Sequence, residues 1–250
     1  TVGSGLGALL VTWSAATRIG WRAGFVVAAA LSLVVALAFG HWYRGEGGTG
    51  SMGLPDVRGL LSHPDYRLLV AAGFFYGAAI LTTTAYVVLY LTESLPVAAG
   101  AAGTVLALVQ LTGSAGRIGG GAIVDRLPMA DERAAALVLV GQSTLGVACL
   151  AAVTAVETPL AAAAGFAVLG LFVFGIPATY YACMTALVPS DRVGEATAGG
   201  QLTINAGGLV APPAFGYLVD TAGYTAGWLA LAAGVAVAAL LVGRLAMVTR

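Results

Sequence analysis

Long apolar runs, separated by short polar turns, recur along most of the chain. About 20 apolar residues in a helix cover the hydrocarbon core of a bilayer. That length marks seven full spans, at approximately Ala23–Tyr43, Leu68–Leu91, Pro96–Val124, Ala134–Val156, Pro159–Val188, Ala196–Val219 and Thr225–Val248. A shorter run, Gly3–Thr17, comes before them and brings the count to eight. It has no basic stretch ahead of it and does not read as a signal peptide; the chain is expected to continue upstream of Thr1. The pattern predicts an all-α polytopic membrane protein. Polar residues concentrate in one interval, Arg44–Arg67, where Gly45, Gly47, Gly48, Gly50 and Gly53 precede Pro55 and Pro64. Such a stretch makes a flexible linker. It divides the chain into residues 1–43, the linker 44–67 and a helical unit 68–250. The other connections are short, which predicts antiparallel neighbours.

Composition removes the soluble alternative. Hydrophobic residues make up 59% of the chain, charged residues only 9%, and the mean hydropathy is +0.94. Soluble domains carry about 25% charged residues, so too little charge is present to wet a globule of this length. The net charge of zero gives no reason to expect nucleic acid as a partner. Cys149 and Cys183 lie in apolar runs with no metal-ligand spacing and read as small hydrophobic filler. His41 and His63 are assigned to the polar linker region, without an HExxH pattern, and read as solvated loop residues. No cofactor or metal is expected, and an intramembrane enzyme is disfavoured because both histidines are expected outside the membrane, at or near the linker.

Charge placement orients the chain. With loops numbered alternately, one side receives Arg44, Arg58, Arg67, Arg126, Arg133, Arg192, Arg244 and Arg250. The other receives Arg18 and Arg22, and otherwise Glu93, Glu157 and Asp220. Arginine-rich loops stay in the cytoplasm, which puts the linker and the C-terminus there.

Polar residues inside the spans fall on helical faces. Tyr76, Thr83, Tyr86 and Tyr90 form one stripe, Gln110, Ser114 and Arg117 a second, and Gln201, Asn205, Gly208 and Pro212 a third. Lipid satisfies none of these groups, so each stripe faces protein or water. Each either lines an aqueous cavity or makes interhelical hydrogen bonds without touching a substrate. The segment GRIGGGAIVDRL, Gly116–Leu127, holds the deepest charge. Eight residues separate Arg117 from Asp125, and about 1.5 Å per residue places Arg117 about 12 Å into the membrane. An arginine at such depth costs at least about 2.5–3.5 kcal/mol to insert. It either meets an anionic ligand, an acid or water, or snorkels to the interface and braces the gate. Gly73 and Gly77, Gly116 and Gly120, and Gly223 and Gly227 are spaced four apart, as close helix packing requires. A phosphate loop is excluded, since no strand precedes these glycines and no Gly-Lys-Ser/Thr follows. Pro177 and the Pro212-Pro213 pair should bend their helices, as gates or as plain structural kinks.

Several motifs together resemble the major facilitator superfamily of secondary transporters. They are Gly20-Trp21-Arg22; Gly121-Ala122-Ile123-Val124-Asp125-Arg126, similar to its G-x-x-x-D-R loop core; and Ala211-Pro212-Pro213 with Gly216, Asp220 and Gly223-Tyr224. An internal repeat supports this: Ile19-Gly20-Trp21-Arg22-Ala23-Gly24-Phe25 aligns with Ala222-Gly223-Tyr224-Thr225-Ala226-Gly227-Trp228. The resemblance implies helices five to twelve of a twelve-helix bundle, with the first four missing. It departs from the family loop at Leu127–Arg133, where the basic cluster shrinks to Arg126 and Arg133. The resemblance implies alternating-access transport of a small solute in the plasma membrane, with Gly121, Asp125, Arg126, Pro177, Pro212 and Pro213 at gates. Gly-Arg eight residues before the Asp is similar to the monocarboxylate and oxalate/formate branches, which implies a carboxylate held by Arg117. Gln110, Ser114, Tyr76, Thr83, Tyr86, Asn205 and Gln201 are the other candidate substrate contacts. Efflux of neutral or hydrophobic molecules is the alternative, and a non-transporting membrane scaffold the reading from another class. No carboxylate lies deep in a span, so the coupling ion stays open.

Overall fold

A computed structural model describes residues 22–42 and 57–248, with Gly3 and Gly7 besides. Most of the predicted helix Gly3–Thr17, the Gly20-Trp21 pair and residues 43–56 of the linker lie outside the described residues. Among the described residues every long element is a helix. Helix α1 is Arg22–Trp42, exposed along its length except at Ala23 and Gly24. A single turn, α2 (Val57–Leu60), precedes α3 (Pro64–Ser94), α4 (Ala99–Val124) and α5 (Asp131–Val153). Helix α6 spans Pro159–Ala186 and widens into a π-helical turn at Gly170–Phe174. The last helical stretch, Val193–Val248, breaks at Gly223 (φ 82°, ψ 169°) into α7 (193–222) and α8 (224–248). Five helical stretches among the described residues are long and apolar enough to cross a membrane, the last covering both α7 and α8.

At two boundaries a polar helix start comes earlier than the sequence expectation. Helix α3 starts at Pro64, not Leu68, because proline suits the first helical turn and Asp65 faces the positive end of the helix dipole. For the same electrostatic reason Asp131 and Glu132 begin α5 ahead of Ala134. Polar residues that look like loop in a hydropathy profile are here the helix starts. His41 belongs to the last turn of α1, while His63 is the residue preceding α3.

Helices α3 to α8 run antiparallel in sequence. Tyr66 near the start of α3 donates to the Ala196 carbonyl at the start of α7, at 3.1 Å. At the opposite end, Tyr224 opening α8 donates to Glu93 closing α3, at 2.7 Å. Glycines set the closest crossings. A Cβ at Gly77 would overlap the Ile204 backbone, and one at Gly207 the Phe74 carbonyl, so α3 and α7 meet backbone to backbone. Gly116 meets the Leu171 carbonyl in the same way and joins α4 to α6. Gly227 faces the Phe215 ring, but Gly223 packs against nothing and serves the turn instead, its positive φ favouring glycine.

The interior has two apolar cores stacked along the bundle axis. One, at the linker end, gathers Leu60, Tyr66, Leu139, Ile176, Tyr180 and Leu245. The other, at the far end, gathers Val87, Tyr90, Leu150, Phe166, Phe215 and Trp228. Tyr90, Phe166, Phe215 and Trp228 interlock edge to face there, with ring centroids 5.0–5.8 Å apart. Buried Gln142, Ser143 and Thr179 form a polar waist at the inner edge of the linker-end core, whose Tyr76 hydrogen-bonds Ser143.

Candidate functional site

Arg117 stands at the waist on α4. Its Nε donates to the Phe174 carbonyl at 3.0 Å, at the end of the π-helical turn of α6. The local sequence makes this reach possible. Glycines at 113, 116 and 175 remove the Cβ atoms that would hold α4 and α6 apart, since Gly113 abuts Phe174 and Gly116 abuts Leu171. Pro177, two residues into the second half of α6, brings no N–H to the turn before it. A widened turn next to a proline is where a helix offers its carbonyls to a side chain. Arg117 is half-buried, and no acid pairs with it among the described residues. A guanidinium has five N–H donors in a planar fork, so with Nε committed the two Nη amines remain to receive an anion.

Tyr181, one turn past Pro177, sits within electrostatic reach of the same guanidinium. Its hydroxyl donates to Gln201 Oε1 of α7 at 2.5 Å. Gln201 Nε2 in turn donates to Asn205 Oδ1 at 2.8 Å. The ladder therefore runs from α6 into α7 in one direction and ends on Asn205, whose amide nitrogen points onward as a donor. Gln201 and Asn205 are exposed on the bundle face. Of the expected contacts, Arg117, Gln201 and Asn205 thus gather around Tyr181, which sequence reasoning passed over. The available signal was helical spacing: Tyr181 lies seven residues after Phe174 and so shares its face.

The other candidates turn elsewhere. Tyr76 is fully buried, hydrogen-bonded to Ser143 Oγ at 2.8 Å and set edge to face on Tyr180. Thr83 is fully buried and its hydroxyl has no partner; Gln110 is buried, and Ser114 donates back to the Gln110 carbonyl at 3.1 Å. Tyr86 packs on Phe215 and donates to the Pro212 carbonyl at 3.1 Å, within the proline-interrupted part of α7. Periodicity had put these residues on one face of each helix but not said which neighbour that face meets. At the linker end Asp125 caps α4 through its N–H to the Gly121 carbonyl at 3.0 Å. Asp125 and Arg126 are exposed without an ion pair among the described residues, and a Cβ at Gly121 would meet nothing. Among the described residues no three His, Cys, Asp or Glu side chains cluster as metal ligands.

The sequence profile of the Major Facilitator Superfamily matches residues 1–199. Among solved structures, the fold is similar to the E. coli fucose:proton symporter FucP in a substituted form, with TM-score 0.68, 17% identity, and 90% of this chain against 55% of that one. A second crystal structure of FucP, in the outward conformation, gives TM-score 0.67 and 18% identity, covering 90% of this chain and 54% of that one. The chain spans about half the length of these structures. No curated protein sequence matches it.

Proposed function

Because the chain belongs to the major facilitator superfamily and is thus a multi-pass membrane protein, we propose that it works in a secondary active transporter of small organic anions. In this reading residues 1–43 hold the last two helices of the first half, 44–67 the central loop and 68–250 the second half. The linker end faces the cytoplasm of a cell whose plasma membrane houses the protein. The two halves rock about the polar waist, and the substrate binds on the face where Arg117, Tyr181, Gln201 and Asn205 converge.

One observation carries the substrate class. Arg117 is a half-buried guanidinium on α4, which this reading takes as a membrane-crossing helix although it is not one of the five most apolar stretches, with one donor on a backbone carbonyl and no acid paired to it among the described residues. A charge kept at depth is stabilised by a counter-charge, and a carboxylate fits the remaining fork in a bidentate way. Tyr181, Gln201 and Asn205 then hold the neutral part of the solute. Hydroxyls would suit these amides too, and the similar FucP structure is titled a fucose:proton symporter, so a neutral polyol is the rival substrate.

Uptake of labelled monocarboxylates and of sugars by the whole protein in liposomes separates the two. Arg117→Ala should lower carboxylate kcat/KM by about tenfold to 150-fold, the worth of hydrogen bonds to a charged group, and Arg117→Lys should recover part of it. Unaltered carboxylate flux in Arg117→Ala, or flux confined to sugars, would overturn the assignment.

A further inference from the structure

The seam between α3 and α8, at the linker end of the bundle, holds charges that the transport reading leaves unused. Arg67 of α3 and Arg244 of α8 line one groove of about 490 Å³ together with Pro64, Asp65, Leu68 and Ala71. Both arginines are exposed, and no ion pair holds either among the described residues. Asp65 shares the groove, so two positive charges and one negative leave it cationic. Beneath the charges the wall is apolar, through Leu68 and Ala71. Further along the same seam opens a second, apolar furrow of about 170 Å³, walled by Phe75 and Ala78 of α3, Phe215 of α7, and Leu231 and Gly234 of α8. Phe75 follows Leu68 by seven residues, which places this furrow about 10 Å deeper in the bilayer. Gly234 keeps it open, because a Cβ there would press on the Phe75 ring at 3.2 Å. Leu240 and Met247 are also exposed on α8.

A cationic rim over an apolar furrow matches the two ends of one molecule. We propose that the α3/α8 seam binds an anionic phospholipid, its phosphate between Arg67 and Arg244 and one acyl chain along Leu68, Ala71 and Phe75. Planar guanidinium forks suit phosphate oxygens, and basic pockets between transmembrane helices at the interface recognise acidic headgroups. The assignment requires only that the bundle sits in a bilayer, and it holds whatever solute is carried.

The test uses the whole protein in neutral detergent, titrated with phosphatidylglycerol or phosphatidylcholine and read by native mass spectrometry. Phosphatidylglycerol should be retained preferentially. Arg67→Ala and Arg244→Ala should each weaken it about fivefold, the contribution of one basic residue near an anionic lipid, and the double variant should lose the preference. Asp65→Asn should tighten binding, and this arm decides if the double variant does not fold. Equal retention of the two lipids, a preference surviving in the folded double variant, or unchanged affinity in Asp65→Asn would overturn the proposal. Full displacement by inorganic phosphate would show a free-anion site and would also overturn it.

Discussion

Arg117 reaches the Phe174 carbonyl because glycines on α4 and α6 let the two backbones close up. Its Nε is thereby fixed, and the orientation of the outer guanidinium edge follows from the plane of the fork. Tyr181 lies within electrostatic reach of that guanidinium. Its hydroxyl is committed to Gln201, and this holds the Gln201 amide in the sense that directs its nitrogen to Asn205. Removing the hydroxyl should loosen the ladder without touching the charge. Tyr181→Phe is therefore expected to raise KM for the transported anion about 2- to 10-fold, the net worth of one hydrogen bond, with kcat and thermal stability close to wild type. Uptake kinetics over a substrate series measure this; an unchanged KM would remove Tyr181 from the site. Arg117, Gln201 and Asn205 were legible in the sequence because a charge or amide inside an apolar run is costly and therefore conspicuous. Tyr181 was not, since a tyrosine in such a run is an ordinary core residue, as its neighbour Tyr180 is.

At the scale of elements, spacing alone did not distinguish glycines that pack from glycines that turn. Gly116 and Gly121 stand five residues apart on α4 and look alike in sequence. In the fold a Cβ at Gly116 would strike the Leu171 carbonyl, while one at Gly121 would meet open space. Backbone gives way less readily than a side chain, so Gly116→Ala forces α4 and α6 apart and should cost about 1–3 kcal/mol, as overpacking does. Gly121→Ala should be neutral or stabilise by up to about 1 kcal/mol through helix propensity. Thermal unfolding in detergent distinguishes the two, and equal effects would mean that the α4/α6 contact is not backbone to backbone. An interruption of α6 near Pro177 was legible from the proline itself. The π-helical turn before it was not, because its cause is the joint demand of the proline and of the α4 glycines, which lie more than fifty residues away. The boundaries at Pro64 and Asp131 were missed for a local reason: helix-start residues are polar, and hydropathy counts them as loop.

Over the whole molecule, helix order and charge placement speak to the same question. The antiparallel course sends Arg67, Arg126, Arg133, Arg192 and Arg244 to the linker end of the bundle, and Glu93, Glu157 and Asp220 to the far end. The two end-to-end ties, Tyr66 to Ala196 and Tyr224 to Glu93, fix that course independently of any hydropathy argument. Basic short loops resist translocation while acidic ones contribute little. Carrying the linker end across the membrane would oblige several arginine-bearing turns to cross together, so the linker end should face the cytoplasm. Single cysteines in a background lacking Cys149 and Cys183 test this directly at two exposed turns. On intact cells a membrane-impermeant thiol reagent should label Glu157→Cys, at the far end, and spare Ala130→Cys, between Arg126 and Arg133, until the membrane is opened. The opposite pattern would invert the bundle. It would also carry the Asp125-Arg126 turn to the outside, so the loop motif and the arginine bias stand or fall in one measurement.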